Sequence, residues 1–132
     1  MIEVEQKAVL VRSLSHLDAL VAEYVMLMPR HEIYYLVEGQ ELITTKLPWY
    51  SDSIEDAWQV VEKLEHFTPV VEGLTQTGQQ SAKWRCLFAN ISKLGLNNGW
   101  HLSDSSTAPI AICLAALKTV GIEVKLELTD AK

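Results

Sequence analysis

From Ala108 through Leu117 no charged or strongly polar side chain interrupts the chain, and the residues on either side punctuate this run as a helix. Thr107 is placed to cap its start, Pro109 fits the first turn, Lys118 suits the negative end, and Gly121 supplies a left-handed stop. Ile110, Cys113, Leu114, Leu117 and Val120 share one stripe, while Ala111, Ile112, Ala115 and Ala116 keep the other side apolar too. A helix of that kind needs cover on more than one side. The run is well short of the roughly 20 residues that cross a bilayer, so the pattern predicts a core helix and not a membrane span.

The remaining pattern sorts into shorter elements. Partial alternation of Ile2, Val4, Val9 and Val11 favours a strand within Ile2–Arg12. Leu17, Leu20, Val21, Tyr24, Val25 and Met28 recur at three and four, which predicts a first helix with Ser15 as N-cap and Asp18 at its third position, ended by Pro29. Ile33–Val37 and Leu42–Thr45 form a hairpin pattern across Glu38-Gly39. Ser53 caps a helix over Ile54–Leu64, with Ile54, Ala57, Trp58, Val61 and Leu64 as its buried stripe. Phe67–Leu74 reads as a strand that Pro69 pushes to an edge. Ala82–Ile91 alternates most cleanly, with Trp84, Cys86 and Phe88 on one face and Lys83, Arg85, Leu87 and Ala89 on the other. Thr75–Ser81 reads as a polar loop, Ser92–Ser106 as a long loop, and Ile122–Leu128 as a half-exposed last strand. Together these predict an α+β fold with about three helices and a mixed or antiparallel sheet, in one domain over residues 1–132.

Composition narrows the partners. A net charge of −6 with scattered basic residues repels a phosphate backbone, which argues against nucleic acid. Cys86 and Cys113 both lie in apolar stretches, the setting of reduced core thiols in a cytoplasm and not of a disulfide scaffold. Met1–Arg12 mixes acids with apolar residues and lacks the pattern of a secretory leader.

The candidate chemistry points to binding. His16, His31, His66 and His101 fall on separate elements without metal-ligand spacing, and no phosphate loop, nucleophile elbow or glycine-rich dinucleotide turn is present. No catalytic residue, metal or cofactor is assigned, and an unrecognised small hydrolase stays as an alternative that no motif supports. Trp49 and Tyr50, just before the second helix, and Trp100, in the long loop, offer flat surfaces, and Arg85 offers a cation. Ser105, Ser106 and Thr107 open the central helix, where free amides and the dipole attract anions. Together these seven residues equip a site for a small anionic, nucleotide-like ligand. Each also has a plainer role as cap, core or rim, and the Asp104 carboxylate competes for the same helix-start amides.

Three segments resemble the Phage ABA sandwich domain family: HLDALVAEYVM, starting at His16 in the helix that runs to Met28, PWYSDSIEDAWQVVEKL at Pro48–Leu64, and DSSTAPIAICLAALKTVG at Asp104–Gly121. WRCLF at Trp84–Phe88 resembles that family's aromatic-Cys-aromatic strand. The resemblance implies a three-layer α-β-α sandwich, a phage origin and work in the cytoplasm of the infected bacterium, and it implies no reaction. Two functions follow by analogy with phage accessory proteins: sequestration of a nucleotide-derived host signal as counter-defence, or a module that covers a host or phage protein. A helix apolar on several sides and the alternating tail also predict a homo-oligomer.

Overall fold

The computed structural model of the chain describes residues 7–74, 83–90 and 100–127. The polar loop expected at Thr75–Ser81 and most of the one expected from Ser92 lie outside those residues. In chain order the elements are β1 (Lys7–Val11), α1 (Leu14–Leu20, running on as a π turn over Val21–Val25), α2 (Arg30–Ile33), β2 (Tyr34–Val37), β3 (Gln40–Ile43), α3 (Ile54–Lys63), β4 (Thr68–Leu74), β5 (Lys83–Ala89), β6 (Trp100–Ser105), α4 (Ala108–Thr119) and β7 (Ile122–Leu126). The class is α+β, as the patterning predicts. A fourth helix is present because a single turn, α2, forms after Pro29 and takes Ile33 out of the hairpin and into the core.

The strands make three small sheets. β1 pairs in parallel with β7, β2 and β3 form an antiparallel hairpin, and β4-β5-β6 is an antiparallel sheet with β5 in the centre. The cleanest alternation thus belongs to the central strand, and Pro69 sits on an edge strand, the place in a sheet where proline is tolerated. Glu38 and Gly39 both have positive φ, 52° and 81°, the geometry of a two-residue hairpin turn that matches strand twist. A lone two-stranded hairpin is marginal in water. Here Arg30 fastens it: its guanidinium donates to Glu23 Oε2 at 3.0 Å and Glu41 Oε2 at 2.8 Å and stacks over Tyr34 at 4.4 Å.

Helix α4 lies at the centre, against β5, β6 and β4, against α1 with its π turn, and against α3 and β7. Its cap and stop are those that the sequence specifies: the Thr107 hydroxyl accepts from Ile110 N at 3.4 Å, and Gly121 has φ 85°. Ala108, Ile110, Ala111, Ile112, Cys113, Ala115, Ala116 and Leu117 are all buried, so it is covered on nearly every side. Val120 is exposed, since the stripe runs out where the helix ends.

Three expectations need correction. The N-cap of α1 is Ser13, not Ser15: Ser13 Oγ accepts from His16 N at 3.1 Å, and Leu14 already belongs to the helix. In α3 the buried residues are Ala57, Val60 and Val61, while Ile54 and Trp58 are exposed. Helix α3 packs against α4, and its buried side is carried by the small Ala57 and two valines instead of the bulkier Ile54 and Trp58. Finally, Trp100–Ser105 is a strand, β6, where the sequence reads as loop. Its pattern is inverted: Ser103 is buried, whereas Trp100 and Leu102 face outward.

Candidate functional site

The loop between β3 and α3 is held at close intervals. Leu47 and Tyr50 are buried as anchors, Ser51 N donates to Asp18 Oδ1 at 2.8 Å, and Trp49 N donates to Asp56 Oδ2 at 2.8 Å. Asp52 N and Ser53 N both donate back to Trp49 O, at 3.0 and 2.8 Å. The backbone of Trp49 is therefore fixed, yet its side chain is 62% exposed. Beside it opens a groove of about 280 Å³ lined by Ser15 and Asp18 of α1, Ile43 of β3, and Thr44, Thr45, Leu47 and Trp49 of the loop.

Asp18 gives this groove its electrostatic character. The residue is 8% exposed and forms no ion pair with a described residue. Burial pushes its carboxyl above the ordinary 3.8, hydrogen bonds from Ser51 pull the other way, and the carboxylates of Asp52 and Asp56 push it up again. Asp18 is missing from the sequence-based site because it is read there as a helix-start residue. A signal exists: Leu14, Asp18, Val21 and Val25 are spaced four, three and four apart, which puts a carboxylate on the stripe that faces the core.

The seven expected ligand residues do not converge on one pocket. Trp49 forms the groove rim. Tyr50 is a core residue at 2% exposure, fastened under the loop. Arg85 and Trp100 stand on the outward face of the β4-β5-β6 sheet, since Arg85 pairs in register with Asp104, and Trp100 with Ala89. Ser105 pairs with Trp84 and so belongs to the inward face. Ser106 is exposed ahead of α4, and Thr107 caps it.

Arg85 has a clear reason to be in this acidic chain. Its Nε and Nη2 donate to Asp104 Oδ1 and Oδ2 at 2.8 and 3.0 Å, a bidentate cross-strand pair, with Glu72 next to it on β4. The pair raises the Arg85 pKa and holds the Asp104 carboxyl below the usual carboxylate range. Asp104 thus occupies Arg85, not the helix-start amides. Beside it a second hollow of about 290 Å³ lies between β6, α4 and β7, and Lys118 Nζ crosses it to donate to Leu102 O at 2.6 Å.

The thiols fit packing roles. Cys86 and Cys113 are fully buried, burial pushes Cys86 up to about 12, and Cys113 is likewise well above its ordinary value. Among the described residues no group of three or more His, Cys, Asp or Glu side chains is placed to hold a metal ion, and no helix is long and apolar enough to cross a membrane.

Fold and groove together define a small α+β protein built round one apolar helix, with a ligand-sized recess on a pinned loop. The chain belongs to the Phage ABA sandwich domain family, whose sequence pattern matches residues 19–117. It is also similar to a phage protein from Bacillus cereus ATCC 14579 known from a 2.0 Å crystal structure, with 28% identity over 87% of this chain and 94% of that one and a TM-score of 0.60. No curated protein matches the sequence.

Proposed function

We propose that this phage-family protein binds and sequesters a small ligand in the groove beside Trp49 without converting it. One observation carries the reading: Trp49, exposed on a backbone held by hydrogen bonds, lines a recess together with Ile43, Leu47, three hydroxyl residues and one buried carboxylate. Such recesses, mostly apolar with a few fixed polar groups, are the usual form of a small-molecule site. The three-layer α-β-α order, the counter-defence role and the cytoplasm of the infected host belong to this proposal and rest on the phage family. For a nucleotide-derived ligand the support is partial: a base can stack on Trp49, worth about 1–3 kcal/mol in single-strand binding sites, but the cation expected for its phosphate, Arg85, is already paired on a different element. Native mass spectrometry of protein purified from phage-infected cells tests the proposal. A retained small molecule that is lost in Trp49→Ala supports it, and a ligand-free spectrum together with no binding in a metabolite panel overturns it.

A second reading has its own observation. Val70, Trp100 and Leu102 are exposed around the Arg85–Asp104 pair on the outward sheet face, and Tyr35, Leu36 and Val37 are exposed on the hairpin. Apolar area of that kind suits an interaction module or a homo-oligomer. Light scattering that gives more than 14.8 kDa for the wild type, and 14.8 kDa for Trp100→Asp or Leu36→Asp, supports the oligomer.

A further inference from the structure

We infer that the groove beside Trp49 selects an organic cation, the ammonium or guanidinium head of an amine, with Asp18 as its counter-ion. The inference rests on the reading that this groove holds a small ligand and specifies the class. The charges that act on Asp18 are the carboxylates of Asp52 and Asp56, so its immediate surroundings are negative and disfavour a phosphate there, with Lys46 the basic residue of the adjoining loop. Asp18 is itself removed from water, where an ionised carboxylate is costly unless a positive partner arrives. Among the described residues the hydrogen bonds to it come from Ser51, whose amide donates at 2.8 Å.

The remaining wall suits the same guest. Trp49 lines the groove and is exposed, and an indole ring is a surface on which ammonium and guanidinium groups are held by the ring quadrupole. Ile43 and Leu47 offer apolar contact for an alkyl stem, and Ser15, Thr44 and Thr45 bring hydroxyl oxygens able to accept N–H donors. A bare metal ion fits less well, since a hard cation such as calcium takes six to eight oxygen ligands, and the groove brings one carboxylate.

The cation also implies a pH dependence with a definite sign. Asp18 must be ionised, so affinity rises as pH rises through its elevated pKa and falls below it. Other groups that face Asp18 are Asp52 from the loop, Asp56 from α3, Tyr50 from the loop and Cys113 from α4. Burial raises the last two pKa values, so both are neutral in that range and do not reverse the sign.

The test is calorimetric titration of the full chain with agmatine, spermidine, and blocked tripeptides centred on lysine or arginine, with AMP as the anionic control. Heat with the cations and none with AMP is expected, with affinity reduced at least tenfold in Asp18→Asn and several-fold in Trp49→Leu. Tighter binding of the free amines or of the tripeptides separates a small-molecule source from a partner's side chain. Asn keeps the acceptor for Ser51 N; should Asp18→Asn fail to fold, Trp49→Leu at an exposed position and the wild-type pH profile carry the test. AMP binding that depends on Trp49, or cation binding indifferent to Asp18→Asn or to pH, overturns the inference while leaving the groove as a ligand site. No heat from any member overturns the inference, while the proposed function falls only if native mass spectrometry and the wider metabolite panel are also empty.

Discussion

Asp104 and Asp18 are both carboxylates on regular elements, and their surroundings are opposite. Asp104 lies on the open sheet face, where β5 brings Arg85 directly across in a bidentate pair. Asp18 lies inside the α1 stripe, where it meets a backbone amide, a hydroxyl and two further carboxylates. Where the fold itself provides the counter-charge, a ligand must first displace it. Where the fold provides only neutral donors beside an open recess, a ligand can complete the arrangement.

The strongest way to break this comparison goes through α4, which packs on the sheet, on α1 and on α3. Leu117→Ala, at a fully buried position, should cost about 2–5 kcal/mol and lower the melting of the groove and the sheet together. Separate transitions for Trp49 and Trp100 probes would show that the two regions are not one cooperative unit. Asp18→Asn and Asp104→Asn sharpen the comparison next. At neutral pH the first should raise the melting temperature, because a buried charge is removed and its acceptor kept, and the second should lower it slightly. The smallest effect is expected from Arg85→Ala. Exposed ion pairs contribute little, so its melting temperature should barely move, and affinity in the groove should be unchanged.

Acid titration adds the sign of each effect. The Asp104 pKa is depressed, so its stabilising share is present above the ordinary 3.8 and is lost as pH falls from there toward its folded value. The Asp18 pKa is raised, so its penalty is absent below 3.8 and sets in as pH rises from 3.8 to its folded value.

Much of the scaffold is legible in the chain because local and global signals agree. Thr107, Gly121 and Ser53 cap or stop helices as their types suggest, and β5 alternates because one face meets the core. β6 is not legible, since its two serines, Ser103 and Ser105, lie on the inward face and its tryptophan and leucine on the outward one, the reverse of the pattern that betrays a strand. The parallel pairing of β1 with β7 joins the two ends of the chain and leaves no local mark. Within the site, Trp49 is legible as an aromatic in a loop, whereas Asp18 imitates a helix-start acid once Ser15 is taken for the cap instead of Ser13. The true position of Arg85 depends on Asp104, nineteen residues away on a strand that the sequence conceals.

Among the described residues Asp18 is a buried carboxylate without a positive partner, and Asp104 is a paired one. Side-chain carboxyl NMR across an acid titration of the wild-type chain tests it most directly. Asp18 should titrate above 3.8 and Asp104 below it, and a bound amine should pull the Asp18 value down and leave Asp104 unmoved. An Asp18 that titrates at or below 3.8 in the free protein would contradict it, for the groove would then already contain the charge that a ligand is proposed to bring.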